Sequence, residues 1–316
     1  MQTRELGDSD LEISPLGVGT WAIGGPDGNY NWGPQDDEDS IRALHRAVEK
    51  GVNWIDTAPA YGRGHSEEVV GKALKGMSAR PYIFSKCSLV WGADRVITNC
   101  LKADSARKEC EDSLRRLGVE ALDLWQIHWP NPDPDIEEGW AEMAKLKKAG
   151  KVRWIGVSNF TPNQMKRAQR IAPVTSLQPP YSALRRDIET EILPYCKDNG
   201  IGVLVYSPMQ AGLLSGKMSR ERVQAMAPGD WRKRDDKFKE PQLTRNLALQ
   251  DLMGKIGARH GHSAGVAALA WTLRSPLVTA AIVGVRNPGQ VDELVAAGDF
   301  RLSVDEIAEV ENFRAE

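Results

Sequence analysis

The strongest constraint on the fold is an alternation of short strand-like and longer helix-like segments, which begins near residue 16 and runs to the end of the chain. Eight runs of apolar and β-branched residues have the length of buried strands. They cover residues 16–20, 52–57, 82–86, 122–128, 152–158, 175–178, 201–207 and 279–285. Helical patterns such as DSIRALHRAVEKG and SARKECEDSLRRLG separate them. This alternation predicts a parallel sheet whose strands are connected by helices.

Eight such units in one chain favour a closed (β/α)8 barrel, the TIM barrel, over an open doubly wound sheet. An open dinucleotide-binding sheet needs a G-x-G-x-x-G turn between a strand and a helix, and neither Gly17-x-Gly19 nor Gly24-Gly25 opens a helix there. The segments RELG and LEISPLG, separated by DSD, predict an N-terminal β-hairpin. Residues 30–37 and 209–240 are long for connections, which is typical of lids, cofactor clamps or mobile surface. We expect one α/β barrel domain over residues 1–316.

The composition excludes several classes of protein. The 41 Lys and Arg residues against 43 Asp and Glu leave a net charge of −2, which provides no basic field for nucleic acid. The sequence contains no run of about 18 apolar residues, the length that would span a membrane. The polar N-terminus MQTRELGDSD lacks the apolar stretch of a secretory signal. The four cysteines show no C-x-x-C spacing, which indicates thiols in a reducing cytoplasm and no metal site.

Four polar residues stand at or just after the ends of consecutive predicted strands, where barrel enzymes carry their catalytic groups. Asp56 ends the second strand, Tyr61 follows in its loop, and Lys86 and His128 end the third and fourth strands. Each alone has an ordinary structural explanation, but together they suit the reduction of a carbonyl. A buried Lys ammonium lowers the pKa of a nearby Tyr, which then delivers a proton at neutral pH. The Asp keeps that Lys charged, and the His hydrogen-bonds the carbonyl oxygen.

The motifs around these residues resemble those of the aldo-keto reductase superfamily. They are DTAPAYG-x-G-HSEE-x-x-GKAL, DLWQIHWP and GVSNF, and the resemblance covers essentially the whole chain. The nearest likeness is to the bacterial branch of inositol-cluster, sugar and glycerol-type reductases. The resemblance implies that Asp56, Tyr61, Lys86 and His128 are catalytic. In that family the Tyr is the general acid in reduction and the base in the reverse reaction.

The resemblance also implies where a nicotinamide cofactor lies. Ser158, Asn159 and Gln178 match residues that hold the nicotinamide carboxamide, and Tyr206 matches an aromatic residue that stacks on the nicotinamide face. Three further positions match the end of the first strand beside the nicotinamide ribose and the substrate, with Asp56 adjoining the same cofactor. They are Gly19, Thr20 and Trp21.

Two segments predict the phosphate end of the cofactor site. In residues 207–217, backbone N–H groups and Lys217 are suited to cradle a pyrophosphate. The candidates there are Ser207, Pro208, Gly212, Leu213 and Lys217. After the eighth strand, Arg286 is suited to a ribose 2′-phosphate, and the family places adenosine-phosphate contacts at this point. Gly284 and Gln290 complete the set, so the predicted cofactor is NADPH.

These features predict an NADPH-dependent reductase of an aldehyde or ketone. One alternative is an NAD-linked sugar or alcohol dehydrogenase working in the oxidative direction. Another is a non-catalytic regulatory subunit on the same fold, like the potassium-channel β subunits, which resemble these reductases. The predicted partner is a small-molecule carbonyl substrate, with neither nucleic acid nor membrane, and a homo-oligomer is compatible with the sequence.

The ten tryptophans divide by their predicted location. Five fall on predicted strands and helices, where packing explains them: Trp54, Trp125, Trp154, Trp140 and Trp271. Trp231 falls in the long 209–240 loop. The substrate wall is predicted to draw on Trp21, Trp32, Tyr61, Trp91, His128 and Trp129. The polar groups of Asn29, Tyr30 and Asn31 in the first loop favour a sugar, a polyol-derived compound or another hydroxylated carbonyl.

Overall fold

An eight-stranded parallel barrel forms the centre of the computed structural model, which describes residues 1–27, 30–77 and 79–314. A short hairpin of β1 (Arg4–Glu5) and β2 (Glu12–Ile13) precedes it. The barrel strands are β3 (Leu16–Gly19), β4 (Trp54–Asp56), β5 (Tyr82–Cys87), β8 (Leu122–Ile127), β9 (Val152–Ser158), β10 (Ser176–Gln178), β11 (Gly202–Val205) and β12 (Ala280–Gly284). The predicted barrel, its N-terminal hairpin and all eight strand positions are confirmed.

The barrel closes between its last and first strands, where Gly284 of β12 pairs with Gly19 of β3. The strand order otherwise follows the sequence. All residues of β3, β4, β8, β10 and β11 are buried, because parallel strands are covered by side chains inside and by helices outside. Their near-continuous apolar runs follow from this double coverage.

Helices surround the barrel. They are α1 (Asp37–Glu49), α2 (His65–Leu74), α3 (Ala103–Leu117), α4 (Ile136–Lys148), α5 (Pro162–Gln169), α6 (Ile192–Asp198), α7 (Arg220–Gln224), α8 (Gln242–Arg259), α9 (Ala264–Thr272), α10 (Pro288–Leu294) and α11 (Val304–Glu311). Side-chain caps fix several N-termini. Asp36 accepts the N–H of Asp39 at the start of α1, and Thr161 forms a capping box with Gln164 at the start of α5. None of the helices described by the structure is long and apolar enough to cross a membrane.

The lower half of the barrel interior is filled by apolar side chains. Leu6, Leu11 and Ile13 of the hairpin region pack with Trp54, Phe84 and other strand residues in one buried cluster. Trp54 lies so close to Gly17 that a Cβ at position 17 would sit 2.2 Å from the indole ring. Because this end is closed, the polar residues at the carboxyl ends of the strands have only the opposite end in which to form a site.

Two loops at that carboxyl end contain structure of their own. The connection from β5 to α3 forms an antiparallel hairpin of β6 (Leu89–Trp91) and β7 (Ile97–Asn99), which the sequence did not predict. The 209–240 segment contains α7 and three 3₁₀ turns, Gln210–Gly212, Trp231–Arg234 and Asp236–Phe238. Asp230 and Asp235 cap the last two of these turns by accepting backbone N–H groups. The long loop therefore has a defined path over the barrel.

Candidate active site

Asp56, Lys86 and Tyr61 form one chain of contacts at the carboxyl end of the barrel. The ammonium of Lys86 donates to Asp56 Oδ1 over 2.5 Å and to the carbonyl of Thr57 over 2.9 Å. Its Nζ also lies 3.4 Å from the hydroxyl of Tyr61. Lys86 and Asp56 are 0% and 1% exposed, so this ion pair is almost completely removed from water.

Neighbouring strands fix the position of this pair. Asp56 is the last residue of β4, and β4 pairs directly with β5, which carries Lys86. The backbone carbonyl of Asp56 accepts from both the N–H and the hydroxyl of Thr20, at 3.0 and 3.1 Å. Ser66 donates in turn to the Thr20 hydroxyl over 2.7 Å. Thr20 was predicted to lie beside the cofactor; it is buried, and its hydroxyl holds the Asp56 backbone.

His128 faces Tyr61 at the end of β8. The two ring centroids lie 5.8 Å apart with the rings nearly perpendicular, and Trp129 is stacked against His128 at 6.5 Å. Burial, reinforced by the charge of Lys86, lowers the pKa of His128 well below 6.5. The imidazole is therefore neutral at pH 7, with one ring N–H to donate and one nitrogen to accept.

The pKa of Tyr61 shifts in the direction opposite to the one expected from Lys86. Burial, with a smaller contribution from the Asp56 carboxylate, raises the pKa of Tyr61 well above 10. The Lys86 ammonium does not reverse this rise in the pKa of Tyr61. It is already paired with Asp56 at 2.5 Å, and a paired charge exerts little net field on a third group. Burial also lowers the pKa of Lys86, and the Asp56 carboxylate opposes that shift. Tyr61 thus holds its proton across the neutral range.

The four residues matched to the nicotinamide site lie together beside this chain. Gln178 donates to Asp56 Oδ2 over 2.9 Å, and the Ser158 hydroxyl donates to the Gln178 carbonyl over 2.8 Å. The Asn159 amide donates to Ser158 Oγ over 3.0 Å and accepts from the Tyr206 hydroxyl over 2.9 Å. Asn159 has a φ of 63°, a left-handed conformation that Asn tolerates better than most residues. The result is a connected amide and hydroxyl surface.

In the segment predicted to cradle a pyrophosphate, several polar groups already have partners within the protein. The N–H groups of Gly212 and Leu213 donate to Met209 and Gln210 carbonyls inside a tight turn, both at 3.1 Å. Lys217 is paired with Glu293 over 2.6 Å. Ser207 has a positive φ of 56°, and Pro208 is buried. The turn itself uses the two N–H donors at positions 212 and 213, and the assignment of this segment to a pyrophosphate stays a prediction.

Arg286 lies just after β12 and Gln290 lies in α10, while Gly284 at the end of β12 is exposed with nothing within 4 Å of the site of a Cβ. The Arg286 guanidinium donates to the Gln35 side chain and to the carbonyls of Pro34 and Trp32. Gln290 accepts the backbone N–H of Arg286 over 2.7 Å. The sequence did not predict this link between the eighth strand end and the first loop, which joins residues some 250 positions apart.

The tryptophans predicted for the substrate wall lie in different surroundings. Trp21 and Trp32 lie together, 5.3 Å between ring centroids, and Trp231 joins them. Trp129 is 39% exposed beside His128. Trp91 lies in the β6–β7 hairpin, and the ring contacts found among the described residues do not join it to Tyr61 or His128. Asn29, predicted to add a polar group, lies outside the described residues.

Sequence reasoning missed Trp231 and Gln126. Trp231 stands alone among charged residues in DWRKRDD, and a large aromatic in such a segment is itself a signal of a buried contact. Gln126 is fully buried in β8, with its Oε1 3.5 Å from the Gln178 amide nitrogen and its own Nε2 unpaired among the described residues. A Gln within an apolar strand could have been recognised as part of a polar site.

Comparison with known proteins finds relatives along almost the entire chain. A sequence model described as the aldo/keto reductase family matches residues 15–315. The chain is 39% identical over 297 residues to the aldo-keto reductase YhdN of Bacillus subtilis strain 168, covering 93% of this chain and 88% of the relative. It is 35% identical over 317 residues to the NADH-specific methylglyoxal reductase of Escherichia coli strain K12, covering 96% and 95%.

The solved structure of glycerol dehydrogenase AKR11B4 from Gluconobacter oxydans has the same fold. It superposes with a TM-score of 0.90 over 98% of this chain and 94% of that one, at 38% identity. The family match, the identities and the barrel agree with the resemblance inferred from the motifs, and they favour the enzyme over the regulatory subunit. The chain therefore belongs to the aldo/keto reductase family and is an NAD(P)H-dependent oxidoreductase.

Proposed function

We propose that this reductase acts on a hydroxylated aldehyde or ketone, uses NADPH, and takes the proton for the carbonyl oxygen from Tyr61. The observation that carries the proposal is the buried chain from Asp56 through Lys86 to the Tyr61 hydroxyl. A protonated Tyr beside a neutral His offers two hydrogen-bond donors to a single carbonyl oxygen. That is the arrangement needed where negative charge develops during reduction.

The surface beside Tyr61 fits a nicotinamide dinucleotide. Ser158, Asn159 and Gln178 offer amide and hydroxyl groups to a carboxamide, and the half-buried Tyr206 ring offers a flat face. The bound cofactor supplies the hydride to the carbonyl carbon. The Asp56–Lys86 pair holds Tyr61 at the edge of this surface, so the proton donor and the reacting carbon are positioned by adjacent strand ends.

We assign the preference for NADPH to Arg286. Arg286 follows the exposed Gly284, which has open space around it, by two residues, and a 2′-phosphate could replace the present carbonyl partners of the guanidinium with stronger charged ones. Gln290 fixes the Arg286 backbone, and Lys217 is released to a phosphate only by breaking its pair with Glu293. Because one relative, from Escherichia coli, is named as NADH-specific, a comparison of NADPH with NADH tests this assignment directly.

The proposed substrate class, small hydroxylated carbonyl compounds, is supported by the names of two relatives. One solved relative is a glycerol dehydrogenase and one sequence relative is a methylglyoxal reductase. The first loop adds Tyr30, 65% exposed, and Asn31 at the mouth. The four cysteines are free thiols, which supports a reducing cytoplasm as the compartment.

A cofactor-oxidation screen tests the proposed function. The purified chain is mixed with NADPH or NADH and with glyceraldehyde, methylglyoxal, propanal and benzaldehyde, and the loss of reduced nicotinamide is followed by absorbance. We expect turnover with NADPH, with the highest kcat/KM for a hydroxylated substrate. No turnover with any of the four carbonyls contradicts the proposal, and a preference for NADH contradicts the assignment of Arg286.

Similarity to a glycerol dehydrogenase favours a second candidate, oxidation of a polyol in the cell. The same residues serve this direction, with Tyr61 as the base that accepts the hydroxyl proton. Because burial holds the pKa of Tyr61 well above 10, its phenolate is scarce at pH 7 and oxidation should accelerate as the pH rises. A ratio of oxidative to reductive kcat/KM above one at pH 7 would favour the second candidate.

A further inference from the structure

Three tryptophans from separate segments meet above Tyr61. Trp21 follows β3, Trp32 lies in the first loop, and Trp231 begins a 3₁₀ turn of the 209–240 segment. Trp231 is stacked on Trp21 at 5.5 Å, and Trp32 stands nearly perpendicular to both, at 5.3 and 5.5 Å. Trp21 in turn lies 6.5 Å from the Tyr61 ring. We call Trp21, Trp32 and Trp231 the indole roof.

Charged residues hold the indole roof in place. Arg232 lies over the Trp32 ring at 5.0 Å and is paired with Asp230 over 2.6 Å. Arg286 donates to the Trp32 backbone carbonyl over 3.4 Å. Two loops distant in sequence therefore converge on Trp32, so the roof is a built feature of the mouth.

Two indole nitrogens of the roof are buried without a hydrogen-bond partner among the described residues. They are Nε1 of Trp32 and Nε1 of Trp231. Other tryptophans satisfy theirs, for example Trp54 with the Ser14 carbonyl at 2.9 Å and Trp140 with the Ala172 carbonyl at 3.0 Å. Buried polar groups in native proteins are normally paired, so an unpaired donor in the ring cluster over the active site marks a place for a ligand acceptor.

Location separates these two donors from the other unpaired indoles. Trp125 and Trp271 also have unpaired Nε1 atoms, but both residues are 0% exposed in the core, away from the mouth. Trp32 and Trp231 are only partly buried, and Trp231 is one ring removed from Tyr61 through Trp21. Both donors therefore belong to the ring cluster that packs against Tyr61.

We propose that Trp231 and Trp32 determine substrate specificity by donating their indole N–H groups to hydroxyl oxygens of the substrate. The inference rests on the proposed function and names the part of the protein that selects hydroxylated carbonyls. Indole faces pack on the C–H groups of a polyol, and the two N–H groups pair with its hydroxyls once the roof parts to admit it. A carbonyl without hydroxyls leaves both donors unpaired, and a site built this way discriminates against it.

The test uses Trp231→Phe, which keeps an aromatic ring and removes the N–H donor. Steady-state reduction of glyceraldehyde is compared with reduction of propanal, which has the same carbon count and no hydroxyls. We expect kcat/KM for glyceraldehyde to fall about tenfold and that for propanal to change less than about twofold. Hydration of the free aldehydes cancels because each variant is compared with wild type on the same substrate. Trp32→Phe should show the same selective loss.

Trp154→Phe is the matched control, because it also removes an indole N–H, the one that pairs with Asp10 over 2.6 Å at the opposite end of the barrel. It should leave the glyceraldehyde-to-propanal ratio unchanged. Equal losses on both aldehydes in Trp231→Phe, or no loss on either, would overturn the inference.

A binding experiment separates this inference from the proposed function. Intrinsic tryptophan fluorescence of the chain without cofactor is titrated with glycerol and with 1-propanol. We expect a saturable change with glycerol alone, and its loss in Trp231→Phe. Absence of turnover on all carbonyls refutes the proposed function, whereas absence of a glycerol response in the wild type refutes the inference about the roof.

Discussion

Removal of the Asp56 carboxylate should isolate a buried cation. In Asp56→Asn the introduced amide oxygen can still accept from Gln178. Lys86, however, loses Asp56, its only ion-pair partner among the described residues. Its remaining contacts are the neutral Thr57 carbonyl at 2.9 Å and the Tyr61 hydroxyl at 3.4 Å. Breaking one side of a buried pair costs about 3–5 kcal/mol. We expect a loss of this size in the free energy of unfolding at pH 7.

The ability of Lys86 to lose its proton sets a ceiling on that loss. Each pH unit below its ordinary pKa of 10.5 makes neutralisation about 1.4 kcal/mol more costly, which limits the loss to about 5 kcal/mol at pH 7 and about 2 kcal/mol at pH 9. In the variant the folded-state pKa of Lys86 lies below the unfolded value, so between the two values the unfolded chain binds more protons. The variant's stability deficit should therefore shrink as the pH rises.

Urea unfolding at pH 7 and pH 9, followed by tryptophan fluorescence and far-UV circular dichroism, measures this deficit. The double variant Asp56→Asn, Lys86→Met removes both charges and should recover most of the stability while remaining inactive. A loss below about 1 kcal/mol at pH 7, an equal loss at pH 9, or a double variant as unstable as the single one would refute the reasoning.

Three further results are expected. Arg286→Ala should raise the Kd for NADPH roughly 10- to 100-fold and that for NADH less than about threefold, measured by fluorescence titration; equal losses would contradict its contact with a 2′-phosphate. Reductive kcat/KM should change less than about twofold from about pH 7 to about pH 9, because the pKa of Tyr61 lies well above 10 and that of His128 well below 6.5. A pH profile of kcat/KM with an apparent pKa inside that interval would contradict these protonation states of Tyr61 and His128. Burial raises the pKa of Glu109 to about 8, so relative to Glu109→Gln the wild type should lose about 1.4 kcal/mol of unfolding free energy per unit as the pH rises from about 5 to about 8. If urea unfolding gives wild type and Glu109→Gln parallel curves of unfolding free energy against pH, Glu109 ionises freely and this expectation is wrong.

The sequence predicts the barrel and the meeting of Asp56, Tyr61, Lys86 and His128 for one physical reason. Strands buried on both faces leave long apolar runs, and the carboxyl ends of parallel strands must share one end of the barrel. Residues at those ends are therefore neighbours whatever the details of packing. This is why positions up to 72 residues apart could be assigned to one site before any distance was known.

Contacts between loops leave no comparable pattern. Arg286 hydrogen-bonds Gln35 of the first loop, and Trp231 stacks on Trp21. Both contacts join residues more than 200 positions apart, and no periodic sequence pattern indicates them. The direction of the Tyr61 pKa shift was wrong for a related reason, because it depends on the balance between burial and a neighbour already paired with Asp56. That balance is a property of the packed site.

Turnover by Tyr61→Phe tests the central claim, that Tyr61 donates the proton. The variant keeps the ring between Trp21 and His128 and removes only the hydroxyl. Tyr82→Phe, at the other end of β5 beneath Arg153, is the control that loses a hydroxyl elsewhere. We predict that Tyr61→Phe loses about 10²- to 10⁴-fold in kcat with unchanged NADPH affinity and thermal stability, while Tyr82→Phe stays active. Retention of more than about a tenth of wild-type kcat by Tyr61→Phe would contradict the account.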